Sequence, residues 1–205
     1  MRLFVAVRPP EPVLIHLDLA LRTVAAAVDT GDRSSPVRWT EVENRHLTVA
    51  FFGDVADSLV GELGDAVAAA VAEAHPFELH LRGAGVFAHR TLWVGVGGDV
   101  VAMRQLSDAV GRAGSDLVAR SDDRVRSRPH LTVGRVDPSI RRSRSRWTGQ
   151  AQAEDPAEAL VRALAVYEGP SWLVEDVLLL ASQPGAGRGG GPLYSTVRTH
   201  TFRAM

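Results

Sequence analysis

Apolar residues recur at helical spacing in several segments of the chain, and each such segment predicts an amphipathic helix. The first follows a proline-rich turn, which suits the start of a helix, and Pro76 ends the second. Asp57-Ser58 and Asp99 are predicted to cap the second and third helices. The predicted helices cover residues 12–28, 57–75, 99–119 and 153–163.

Between these helices, short apolar or alternating runs predict strands. The predicted strands are Leu3–Val7, Val37–Trp39, Arg45–Phe52, Phe77–Phe87, Thr91–Val96, Arg128–Val136, Trp172–Leu180 and Leu193–Phe202. This order of strands and helices is typical of an α+β protein with two comparable halves. The glycine-rich stretch Gly185–Gly191 is predicted to be a flexible hairpin loop, because it lacks the ending and the following helix of a Walker motif.

Four consecutive residues, His-Leu-Thr-Val, occur twice, at 46–49 and at 130–133. Because side chains alternate along a strand, His46 and Thr48 share one face of their strand, and His130 and Thr132 share one face of the second strand. None of the other five histidines begins a His-Leu-Thr-Val sequence. Two such faces brought together would supply two imidazoles and two hydroxyls for proton transfer at a phosphate. The competing interpretation is a duplicated strand with a purely structural role.

Composition narrows the possible functions. The net charge is −1 and lysine is absent, so any contact with RNA must come from local arginines. The chain has no cysteine, which excludes disulfides and thiolate metal sites. No histidine–carboxylate cluster has metal-ligand spacing, so we expect no metal and no cofactor. The first apolar run is too short for a signal peptide and no stretch could span a bilayer, so a cytoplasmic protein without a membrane partner is expected.

Two H-x-T-x motifs half a chain apart resemble those of the 2H phosphoesterase superfamily. The flanking segments Val37–Trp39, Phe51–Val55 and Leu92–Val96 are similar to those of the bacterial and archaeal RNA 2′,3′-cyclic phosphodiesterases, also called 2′-5′ RNA ligase-like proteins. This resemblance runs from Met1 to about Phe202. An arginine-serine-rich insert after the second motif and the long glycine run depart from the family pattern.

The resemblance implies a single domain over residues 1–205, built from two pseudo-symmetric lobes with one motif each. Each lobe would contribute an antiparallel β-sheet to a central cleft, with helices packed outside. The implied activity is hydrolysis of a 2′,3′-cyclic phosphate on RNA or a small nucleotide to a 2′-phosphate, with weak reverse 2′-5′ ligation. We expect the chain to act as a monomer.

The residues alone do not assign the roles of the two histidines, since an imidazole can act as acid or base near neutral pH. The resemblance implies that His46 donates a proton to the leaving 3′-oxygen and that His130 activates water. Thr48 and Thr132 would hold phosphoryl oxygens.

Other residues are weaker candidates for RNA contacts. Arg128 lies two residues before His130 and Tyr194 lies after the glycine run. The insert at 139–150 is expected to be a solvated loop, with an arm that tracks an RNA backbone as the alternative. Its candidate residues are Arg141, Arg142, Arg144, Arg146 and Trp147.

Strand alternation also makes predictions for the neighbours of the motifs. Arg45 adjoins a histidine and should face the opposite side of its strand. Arg135 is an odd number of positions from His130 and is expected to be structural. Trp39 and Phe51 are expected in the core, with stacking on a base at the cleft rim as the alternative.

Three other functions fit the same residues. The substrate could be another small nucleotide, such as a 2′-5′ oligoadenylate or a cyclic ADP-ribose phosphate. The chain could be a non-catalytic RNA-binding module. The histidines and threonines could form a metal site, although threonine is a poor ligand.

Overall fold

One curled antiparallel β-sheet of nine strands forms the centre of the computed structural model. The structure describes residues 1–28, 37–115, 117–118, 128–136 and 156–203. The strands are β1 Arg2–Val7, β2 Val37–Trp39, β3 Leu47–Asp54, β4 Phe77–Phe87, β5 Thr91–Gly98, β6 His130–Val136, β7 Trp172–Val174, β8 Asp176–Gln183 and β9 Leu193–Thr201. The helices are α1 Glu11–Val28, α2 Val60–Ala72, α3 Val100–Ser115 and α4 Pro156–Ala163.

The sheet consists of two matching halves. Its strand order is β7-β4-β5-β6-β3-β1-β8-β9, with β2 paired to β6. The two motif strands, β3 and β6, are therefore neighbours at the centre, and the order on either side of them corresponds. The α+β fold of two pseudo-symmetric halves predicted from the sequence is confirmed.

The helices cover one face of the sheet and leave the other face to the cleft. In β1 the buried residues Leu3, Val5 and Val7 join the main core beneath the helices, whereas Phe4 and Ala6 belong to a small cluster on the opposite face. The core that stabilises the fold therefore lies on one face of the sheet, and the histidines lie on the opposite face.

Several predicted boundaries differ from the structure. The segment Trp172–Leu180, predicted as one strand, is two strands, because β7 pairs with β4 in one half while β8 pairs with β1 in the other. The chain crosses between the halves at Glu175, which no glycine or proline marks.

The predicted cap of the second helix is wrong. A short 3-10 turn over Asp57–Leu59 precedes α2, so that helix begins at Val60 and has no side-chain capping hydrogen bond. The predicted cap of α3 is confirmed, because the backbone N–H of Ala102 donates to Asp99 Oδ1 at 2.9 Å. The insert residues Arg141, Arg142, Arg144, Arg146 and Trp147 lie outside the described residues.

Candidate active site

The two His-Leu-Thr-Val copies meet at the centre of the sheet. Leu47 and Leu131 form an antiparallel pair, and both are fully buried. Continuing this register by one residue in each direction places His46 opposite Thr132 and Thr48 opposite His130. All four polar side chains are partly exposed while the alternating leucines and valines are buried, as the sequence predicted.

Each histidine is oriented by the same backbone contact. Nδ1 of His46 lies 2.8 Å from the carbonyl oxygen of Asn44, and Nδ1 of His130 lies 2.9 Å from that of Arg128. A carbonyl oxygen can only accept, so Nδ1 carries a hydrogen in both rings. In the neutral form of each ring, Nε2 is then left with its lone pair to take up a proton.

Aromatic rings pack against both imidazoles. The centroid of His46 lies 5.0 Å from that of Phe4 and 5.3 Å from that of Tyr194. The centroid of His130 lies 4.9 Å from that of Phe87 and 6.1 Å from that of Trp93. These rings restrict the orientation of the imidazoles and remove water from around them.

Burial lowers the pKa of His46 from 6.5 to about 4. The carbonyl of Asn44 acts in the opposite direction, and positive charge on Arg8 and His130 lowers the pKa further. His46 is therefore neutral at neutral pH when the cleft is empty. The contribution from His130 also shows that the two imidazoles are close enough to influence each other's charge.

A bulge lies at the last residue of the motif in both copies. The pairing of β1 with β3 steps from Val5–Ala50 to Ala6–Thr48, so Val49 has no partner of its own. The pairing of β5 with β6 steps from Leu92–Gly134 to Trp93–Thr132 and leaves out Val133 in the same way. An extra residue on one strand shifts the alternation of faces beyond it.

The bulges move the fifth residue after each histidine to the cleft side. Arg135 is exposed and lines a cavity together with His46 and Thr132, so the face that strand alternation predicted for it is wrong. Phe51 is partly exposed and packs on the cleft-side cluster of Phe4 rather than in the main core.

The other candidates from the sequence have distinct surroundings. Arg45 is buried and its guanidinium lies 3.0 Å from Asp18 of α1, so it faces away from the cleft as predicted. The Arg128 guanidinium lies 5.9 Å from the ring centre of Trp93, beside His130. Tyr194 lines the cavity and contacts His46.

The cavity beside His46 has a volume of about 250 Å³. Sequence reasoning missed Arg8, Arg38, Arg135 and Arg188, which all lie in or near it. The signal for Arg135 was present, since the apolar spacing changes from two residues to three between Val133 and Val136. For the other three arginines the sequence holds no comparable signal.

The arrangement lacks an evident metal site. Within the described parts of the chain, no three histidine, aspartate or glutamate side chains approach closely enough to hold an ion. The site can supply two imidazoles, two hydroxyls and several guanidinium groups to an anion.

The family model for the 2′-5′ RNA ligase superfamily matches residues 5–170. The chain belongs to this superfamily. A protein of Geobacillus stearothermophilus named RNA 2′,3′-cyclic phosphodiesterase is 35% identical over 149 residues, which cover 69% of this chain and 44% of that protein. A protein of the same name from Aeropyrum pernix is 33% identical over 49% of this chain and 58% of its own length. Another, from Methanothermobacter thermautotrophicus, is 32% identical over 66% of this chain and 71% of its own length. The matched region therefore spans about half the length of the first two relatives.

Solved structures with the same fold match over nearly the whole chain. A Thermus thermophilus protein matches with a TM-score of 0.67 and 20% identity, covering 98% of this chain and 97% of its own. E. coli LigT in complex with 3′-AMP matches with a TM-score of 0.68 and 19% identity, covering 99% and 98%. At this identity the likeness shows the fold. No helix in the described part of the chain is both long and apolar enough to cross a membrane.

Proposed function

We propose that the chain hydrolyses 2′,3′-cyclic phosphate ends of RNA or nucleotides to 2′-phosphomonoesters, with one histidine as general acid and the other as general base. Three relatives at 32–35% identity carry the name of this activity. The observation that carries the proposal is the matched pair of imidazoles, each held through Nδ1 by a backbone carbonyl, on two strands whose motifs meet at the pair of Leu47 and Leu131.

The reaction requires that one proton is removed from the attacking water and that another is given to the leaving 3′-oxygen. Water attacks phosphorus and gives a proton to Nε2 of the neutral imidazole, while the bond from phosphorus to the 3′-oxygen breaks. That oxygen takes a proton from Nε2 of the charged imidazole and becomes a hydroxyl, and the phosphate stays on the 2′-oxygen. Thr48, Thr132 and Arg135 stabilise the charge that develops on the phosphoryl oxygens. Both halves of the chain act as one unit. If a 5′-hydroxyl attacked phosphorus in place of water, with the same two proton transfers, the product would be a 2′-5′ linkage.

The low pKa of His46 bears on the assignment of roles. A neutral imidazole is ready to act as a base, whereas the role implied by the resemblance, proton donation, requires a charged one. A phosphodiester anion bound within a few ångströms raises the pKa of a neighbouring histidine. We therefore propose that the substrate itself raises the pKa of His46, so that this residue becomes charged in the complex and serves as the acid.

The activity is tested with adenosine 2′,3′-cyclic phosphate in the presence of EDTA, followed by identification of the product as 2′-AMP or 3′-AMP. We expect 2′-AMP from the wild-type chain and almost none from His46→Ala or His130→Ala. His75 is exposed after α2 and away from the cleft, so His75→Ala is the matched control and should retain full activity. Full activity of a folded His46→Ala or His130→Ala protein would refute the proposal.

A substrate with a good leaving group separates the acid from the base. A nucleoside 4-nitrophenyl phosphodiester expels nitrophenolate, which needs no proton from the enzyme. If His46 is the acid, His46→Ala should lose far less activity on this ester than on the cyclic phosphate, and His130→Ala should lose activity on both. The opposite pattern would exchange the two roles.

A further inference from the structure

The cavity beside His46 is also lined by arginines that the hydrolysis of a cyclic phosphate does not use. Its lining includes His46 and Thr132, Arg38 and Trp39 of β2, and Arg188 of the loop between β8 and β9. Its volume of about 250 Å³ is just below the roughly 300 Å³ at which pockets for small molecules usually begin. It accommodates a nucleotide-sized group rather than a helical segment of RNA.

Two like charges lie side by side on the cleft face. Arg38 and Arg135 are direct partners in the antiparallel pairing of β2 with β6, so their side chains project from the same face of the sheet. Both are exposed, whereas Val37 and Val136 next to them are buried. Like charges directly opposite one another are destabilising unless an anion or carboxylate offsets them.

Arg188 is brought to the same cavity by a specific loop conformation. It begins a short 3-10 turn in which Gly189 and Gly190 have φ angles of 59° and 72°, a region that favours glycine. The N–H of Gly187 donates to the carbonyl of Gly191 at 2.9 Å and closes the loop. The side-chain amide of Asn44, two residues before the first histidine, donates to the carbonyl of Pro192 at 3.1 Å. The loop is thus tied to the segment that orients His46.

The charges of the lining favour an anion. Among the lining side chains that the structure describes, Arg38, Arg135 and Arg188 are positive and Glu41 is negative. Arg135 follows Thr132 closely on β6 and serves the reacting phosphate. Arg38 and Arg188 then remain for a second negative group, which a nucleoside cyclic phosphate does not have.

We infer that Arg38 and Arg188 bind the phosphodiester that joins the 3′-terminal nucleotide to the one before it, and that they make RNA ends better substrates than mononucleotides. This inference rests on the proposed function. In an RNA chain that diester is the next anion after the cyclic phosphate, and guanidinium groups suit bidentate contact with its oxygens.

The test compares three substrates: adenosine 2′,3′-cyclic phosphate, its 5′-phosphorylated form, and the dinucleotide ApA ending in a 2′,3′-cyclic phosphate. The measured quantity is the preference, defined as kcat/KM for the dinucleotide divided by kcat/KM for the mononucleotide. We expect Arg38→Gln and Arg188→Gln each to lower the preference about tenfold, as loss of a charge-assisted hydrogen bond does. The double variant should also reduce the slope of log kcat/KM against log salt by about 1 for the dinucleotide.

Arg104 is exposed on α3, on the helix side of the sheet, so Arg104→Gln is the matched control for loss of one positive charge and should leave the preference unchanged. A preference that is unaltered in the double variant would overturn the inference. If the 5′-phosphorylated mononucleotide showed the same dependence on Arg38 and Arg188 and the dinucleotide gained nothing over it, the subsite would belong to a free nucleotide and the RNA assignment would be wrong.

Failure of the proposed function gives a different result, namely no turnover of any of the three substrates by the wild-type chain. In that case calorimetric binding of ApA carrying a 2′-phosphate, compared with 2′-AMP, still tests the subsite. Tighter binding of the dinucleotide that is lost in the double variant supports the inference, and equal binding of both overturns it.

Discussion

When the pH falls from 7 to 5, the titration of His46 by itself should lower the free energy of unfolding by about 2 kcal/mol. Burial lowers the pKa of this imidazole from 6.5 to about 4 in the folded chain. Above pH 7 the imidazole is neutral in both states and its titration affects stability little. As the pH falls through 6.5 the unfolded chain binds a proton that the folded chain does not bind until about pH 4, and mass action favours unfolding.

The magnitude follows from the two pKa values. Each pH unit between them is worth about 1.4 kcal/mol, so the one and a half units from 6.5 down to pH 5 give about 2 kcal/mol. With a urea m-value of about 2 kcal/mol/M, the midpoint of unfolding should fall by roughly 1 M from this residue. His200, whose pKa is also lowered by burial, adds to the loss in the same direction.

The assay is urea unfolding of the wild type and His46→Gln at pH 7, 6 and 5. The variant keeps a polar side chain of similar size but cannot titrate, so the difference between the two proteins isolates His46 and cancels the contribution of His200. His75→Gln, at an exposed position, is the control and should follow the wild type. If wild type and His46→Gln lose stability equally between pH 7 and pH 5, then His46 is not held neutral by burial and the reasoning is refuted.

Further predictions concern the reaction itself. His46→Ala and His130→Ala should each lower kcat by about two to four orders of magnitude on a nucleoside 2′,3′-cyclic phosphate, the usual contribution of a positioned acid or base. Thr48→Val and Thr132→Val remove one hydroxyl each and should cost about one to two orders in steady-state kcat. Arg135→Gln should lower kcat/KM by at least about tenfold, and an unchanged value would mean that this arginine does not contact the substrate. Activity should survive EDTA; loss of activity that a divalent ion restores would contradict the metal-free mechanism.

Strand alternation was sufficient to predict the face of each motif residue. His46 and Thr48 lie on the cleft side and the intervening leucine lies in the core, because one side chain in two must be buried when only one face of a strand is covered by helices. The same alternation gave the wrong face for Arg135, because it assumes an unbroken ladder. The bulge at Val133 depends on the pairing with β5, which a prediction from one strand by itself does not include.

Contacts between distant segments set the rest of the site. Arg188 reaches the cavity because the loop after β8 is tied to Asn44, 148 residues before the Pro192 carbonyl that it binds. The low pKa of His46 likewise arises from its surroundings, which include Phe4 and Tyr194 from two other strands. Neither property has a local pattern in the sequence, whereas the duplicated tetrapeptide does.

The single pair of Leu47 and Leu131, the link between β3 and β6 in the described part of the sheet, has a mechanical consequence. Backbone pairing between β3 and β6 is sparse compared with the pairing inside each half, so we expect the sheet to flex most readily along the line that separates the two histidines. Such flexing would change the spacing of the two imidazoles. Under the proposed mechanism, a cyclic phosphate held by both sides would restrain this movement, and the reactant itself would then help to fix the distance between the two imidazoles.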